Sequence, residues 1–150
     1  MKRVLRMILG VALVAAAAMA GAWGQGPHAV GVPTGPTFAA LDVFIDPGAE
    51  GLAAYQVEIK DAAGVAKIVG IEGGEGVYKA APYYDPAAME HERVIIGALS
   101  TSADLPKGLV RVARVHVMLE GEAKWEAKLM TAGAPGGRKL DGVVKVKNAE

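Results

Sequence analysis

The 150-residue chain contains no cysteine. That excludes a disulfide framework, a thiolate metal centre and a lipid-modified cysteine behind a leader, and it leaves stability to a hydrophobic core. Aromatic residues are scarce, with two Trp, four Tyr and two Phe, so the places where they gather carry information. An excess of one charge is missing too, since 16 Lys and Arg stand against 16 Asp and Glu. Three of those bases, Lys2, Arg3 and Arg6, precede the apolar run at the N-terminus; without them 13 bases face 16 acids. No basic stripe then remains to neutralise phosphates, and nucleic acid is set aside as a partner. Long stretches with a 3.6-residue apolar period are also lacking, which argues against a helical domain.

What is present starts with a leader. The basic start, the apolar run Met7 to Ala22 and the small residues of Ala18-Met19-Ala20 and Ala22-Trp23-Gly24 have the layout of a secretory signal peptide over residues 1–24. The run is short and alanine-rich for a membrane span, so the expectation is cleavage and a secreted or periplasmic protein with no stable membrane anchor. Residues 25–36, QGPHAVGVPTGP, have too many glycines and prolines for regular structure and read as a flexible lead-in, with His28 solvated in it. Residues 37–150 are long enough for one domain with its own core.

Within that domain period-two alternation dominates. Leu41, Val43 and Ile45 share one side of FAALDVFID, opposite Asp42 and Asp46, and Tyr55, Val57 and Ile59 alternate with Gln56, Glu58 and Lys60. Such patterns belong to strands with one buried face. VAKIVGIEGG and RVIIGALS read as further strands. In the longest, LVRVARVHVMLEG, the inward set Ala113, Val115, Val117 and Leu119 has the opposite parity to Val110 and Val112, which requires a β-bulge near Val112 and Ala113. AKWEAKLM places Ala123, Trp125, Ala127 and Leu129 on one face, and VVKVKN closes the chain. Short strands separated by Gly/Pro turns predict an all-β antiparallel sandwich of about seven to nine strands, with PAAMEHER the one place for a helical turn.

Catalytic patterns are weak. Ser100 and Ser102 lie at a strand end outside any nucleophile elbow, and the carboxylates Glu72, Glu75 and Asp85 bracket a loop with no evident cleft, so the expectation is no enzyme. GGEG, Gly73 to Gly76, lacks the third glycine and the following helix of a phosphate cradle and reads as a turn. Glu90, His91 and Glu92 are consecutive and cannot converge on one zinc ion, whereas calcium accepts oxygen ligands from irregular loops. Glu72, Glu75 and Asp85 are therefore the calcium candidates, against a simply solvated loop. His116 sits on the polar side of its strand next to Arg114, and Trp125 has core parity.

The sharpest feature is APYYDPAAMEHE. Three of the four tyrosines, Tyr78, Tyr83 and Tyr84, fall in or just before it, with Asp85 between Tyr84 and Pro86. These four residues are the candidate contacts for a ligand or partner. Adjacent residues in extended backbone point to opposite sides, so one ring of the Tyr83-Tyr84 pair can plug the sandwich while the other faces out; the alternative is that both cover the sheet edge.

LDVFIDPGAEGLAAYQVEIKD resembles the first two strands of a cohesin-like domain, LPKGLVRVARVHVML resembles that family's later long strand, and GGRKLDGVVKVKN its closing hairpin. The resemblance implies a nine-stranded jelly-roll sandwich related to carbohydrate-binding modules, which acts without catalysis by binding a dockerin-like protein. It carries over no contact residue. The alternative partner is a polysaccharide on which Tyr78, Tyr83 and Tyr84 would stack.

Overall fold

A computed structural model of the chain describes residues 35–150; the expected leader and His28 lie outside them. Strands form where the alternation runs: β1 Thr37–Asp46, β2 Ala54–Asp61, β3 Ala66–Gly73, β4 Tyr83–Tyr84, β5 Arg93–Leu99, β6 Val110–Leu119, β7 Trp125–Gly133 and β8 Val143–Asn148. They make two four-stranded antiparallel sheets, a first in the order β3-β6-β1-β8 and a second in the order β4-β5-β2-β7. Every link between consecutive strands except β4 to β5 passes from one sheet to the other, which is how a jelly-roll sandwich is wound. The eight strands fall within the expected range and are one fewer than the resemblance implied. Helical structure among the described residues consists of three-residue 3-10 turns, including Pro86–Ala88 inside the tyrosine segment.

The inner faces are the alternating sets read from the sequence. Leu41, Val43, Ile45, Val57, Ile59, Val115 and Val117 are all buried, joined by Leu52, Ile68, Val94 and Ile96. The parity change in β6 is a bulge: Val43 opposes Ala113 but Phe44 opposes Arg111, so Val112 is the extra residue. Val112 and Ala113 consequently both face the core. Trp125, Ala127 and Leu129 do point inward, yet they are only half-buried, because β7 is the outermost strand of its sheet.

Two buried polar arrangements lock the sandwich. Tyr55 and Tyr78 meet edge to face with ring centroids 5.1 Å apart, and their hydroxyls donate to the carbonyls of Val112 at 3.2 Å and Leu52 at 2.7 Å. Burial pushes the Tyr78 phenol up to about 12 and raises that of Tyr55 further, the neighbouring Tyr78 adding to the effect. Asp61, only 1% exposed, accepts from the backbone N–H groups of Ala63, Val65, Ala66 and Lys124 at 2.7–3.0 Å. Burial by itself would raise its pKa, but the four donors together hold it below the usual carboxylate value. Asp61 thereby ties the β2–β3 turn to the start of β7.

Candidate functional site

The tyrosine segment is built from its two prolines outward. Pro82 is buried, and the next two residues form β4, with Tyr83 opposite Gly97 and Tyr84 opposite Ile96. Asp85 then accepts from the N–H of Ala87 at 2.9 Å and so starts the 3-10 turn. Beyond it the chain pairs with the first sheet: Glu90 donates to the Ile68 carbonyl at 2.8 Å, and Ile68 donates to that of His91 at 2.9 Å. Glu90 adopts φ 65°, a left-handed conformation unusual for a side chain of its size and held here by those two bonds. The excursion therefore clamps the β3 edge to the second sheet.

The four candidate contacts separate. Tyr78 is a core residue, 2% exposed, and cannot meet a partner, which corrects its place among them. The reason is local: GGEG turns the chain so tightly that a Cβ on Gly73 would lie 2.1 Å from the Lys79 carbonyl oxygen and one on Gly74 1.9 Å from that of Arg111, and the turn swings Tyr78 inward. Tyr84 is half-buried and packs on the core, while Tyr83 is 81% exposed. Asp85 is exposed and engaged in its cap.

The calcium candidates are not brought together. Glu72 lies on β3 with an oxygen 3.1 Å from His116 Nε2, Glu75 pairs with Arg111 at 3.3 Å, and Asp85 belongs to the segment that follows β4 in the other sheet. Among the described residues no three of His, Asp and Glu are arranged to hold a metal ion. The Glu72–His116 approach lacks hydrogen-bond alignment, and His116 Nε2 is shielded from water without a partner. Ser100 and Ser102 accept from the backbone N–H groups of Ser102 and Asp104, which is ordinary turn bonding.

Tyr83 instead joins Gln56, which alternation had marked only as outward, and residues of the strands on either side of it. Across the outer face of the second sheet the register sets Tyr83, Gly97, Gln56 and Thr131 in one row and Leu99, Ala54 and Gly133 in the next. The small residues floor a groove of about 570 Å³, with Tyr83 on one side and Leu99, 70% exposed, at its end. A second hollow of about 430 Å³ shares Ala54 and Leu99 and continues to Leu105 and Pro135. Farther along the same face charges oppose one another, Arg93 bonding to Glu58 and Lys60 facing Glu126. One half of the face is thus self-paired by charge, and the other half is open, its groove lined mainly by apolar groups with Gln56 and, at its Tyr84 side, Asp85. The sequence signal for it was Gly97, a glycine inside RVIIGALS, since a strand-interior glycine marks close approach of another group.

No protein-family model matches the chain, and no curated protein and no solved structure is significantly similar to it.

Proposed function

We propose that the chain is a secreted, non-catalytic binding module of cohesin-like type, and that it recognises a protein partner with the outer face of its second sheet. The observation that carries this reading is the pairing of an exposed phenol, Tyr83, with an apolar groove floored by Ala54 and Gly97 and ended by Leu99. Tyrosine offers a large rigid contact area with a hydroxyl that stays hydrated, and a mainly apolar recess beside it supplies the water-excluded centre on which protein interfaces depend. The resemblance in β1, β2 and β6 supports the module type, and the layout of residues 1–24 supports export.

A polysaccharide is the second reading, favoured by Gln56 and Thr131 beside Tyr83, which provide an amide and a hydroxyl for sugar hydroxyls. With Tyr78 buried and Tyr84 packed on the core, it rests on one stacking ring rather than three. Parallel pull-downs with insoluble polysaccharides and with the secreted proteins of the source organism separate the two, followed by titration of the identified partner against the Tyr83→Ala chain. A protein partner whose affinity falls about tenfold or more on that change supports the first reading, in keeping with an aromatic interface anchor. Retention on polysaccharide alone supports the second, and a partner indifferent to Tyr83, Leu99 and Gln56 removes the proposed face.

A further inference from the structure

The two sheets have four outermost strands, and three of them are guarded. β4 is two residues long, β3 is capped midway by Glu90 and His91, and β8 carries Lys145 and Lys147. In any close antiparallel register of β8 with another β8, one lysine would face another. β7 differs. Its last residues are covered, because Leu140 donates to the Ala132 carbonyl, Gly133 bridges to Lys139 and Gly142 lies against the Leu129 side chain, but among the described residues no strand is hydrogen-bonded to Trp125–Thr131 on the outer side.

The direction of its free backbone groups follows from alternation. The carbonyls of Lys124 and Gly133 point to the β2 side, where they accept from Ala62 and Ala53, while that of Ala132 points away to Leu140. A register shift between Gln56 and Val57 skips Met130 and reconciles the two ends. The N–H and C=O groups of Trp125, Ala127 and Leu129 are therefore aimed at the open edge.

We propose that this edge pairs antiparallel with the same edge of a second copy, about a two-fold axis through Ala127. The segment WEAKL is self-complementary in that register. Glu126 of each copy faces Lys128 of the other on the outer side, Trp125 faces Leu129 on the inner side, and Ala127 exchanges both backbone bonds with its own mate. Shifting the register by one pair of residues places Glu126 against Glu126 or Lys128 against Lys128, so charge selects this alignment. The half-buried Trp125 and Leu129 gain the cover that β7 lacks as an outermost strand. The two four-stranded sheets become one eight-stranded sheet, and a two-fold axis perpendicular to it turns both grooves to the same side.

Light scattering and sedimentation of the full chain over a range of concentrations test this. Expected are a reversible monomer–dimer equilibrium and slower amide exchange at Trp125, Ala127 and Leu129 as concentration rises. K128E creates two Glu–Glu contacts per dimer and should weaken association roughly tenfold or more, and E126K/K128E should restore it by reversing both partners of each pair. A chain that is monomeric at every concentration, a dimer indifferent to K128E, or a double reversal that does not recover association would overturn the proposal. The exchange measurement on the unmodified chain decides even if a variant fails to fold.

Discussion

The outer faces of the two sheets are products of the same period-two alternation, and they differ in how much of themselves they satisfy. On the first sheet a row of alternating charge, Lys147, Asp42, Arg114 and Glu72, crosses all four strands. At its centre Arg114 makes two bonds to Asp42, at 2.8 and 3.0 Å, and Arg111 reaches the same carboxylate at 3.3 Å. Hydrogen bonding from Arg114 lowers the Asp42 pKa, and Asp42 in turn raises that of Arg114. The corresponding row of the second sheet is Tyr83, Gly97, Gln56 and Thr131, in which nothing neutralises or covers its neighbour. A row whose charges are already paired gains little from a partner, whereas one that exposes an aromatic ring over a small-residue floor gains burial.

Core truncation sharpens that contrast by limiting it to the outer faces. Ile59→Ala in the second sheet and Val117→Ala in the first should each cost about 2–4 kcal/mol in urea unfolding, because both side chains are fully buried and would leave cavities. Loss at only one of them would mean that the sheets differ inside as well. Asp61→Ala should follow at about 3 kcal/mol, since it strips partners from four backbone donors, some of them buried.

Acid should act through Asp61 on the interior and through Asp42 on the first face. Both folded pKa values lie below the unfolded one, so their stabilisation is full above about pH 4 and is lost as pH falls through the folded values. Urea midpoints between pH 7 and pH 2 should drop in that window, and less so in Asp42→Asn. At neutral pH that substitution should cost about 1 kcal/mol, discounted for solvent screening, whereas Gln56→Ala on the second face should stay within about 0.5 kcal/mol. Equal costs at Asp42 and Gln56 would erase the distinction between the faces.

The smallest change in stability is expected where the change in binding is largest. Tyr84→Ala, which removes a ring packed on the core, should lower the melting temperature by several degrees, about 1–2 kcal/mol. Tyr83→Ala should leave melting within about 0.5 kcal/mol, as for an exposed position, and abolish most partner binding. A drop in stability for both, with no loss of binding, would make the segment only a clamp between the sheet edges.

Alternation in the sequence was enough to place seven of the eight strands, all but the two-residue β4, to choose the buried side of β1, β2, β6 and β7 and to locate the β6 bulge, because side chains on extended backbone alternate whatever the strand's neighbours are. The parity change between Val112 and Ala113 is local and needed no partner strand to be read. Tyr78 was misplaced because its neighbours read as an irregular loop, and nothing local shows that GGEG folds so tightly that the next phenol enters the core beside Tyr55. Glu72, Glu75 and Asp85 are close in the chain and diverge in space, since the link from β3 to β4 passes between sheets. Only strand pairing could bring Gly97 beside Tyr83 and Gln56, leave β7 outermost and aim Asp61 at Lys124, because each of those contacts joins segments distant in the chain, and cross-strand register is set by the whole sheet rather than by any one strand.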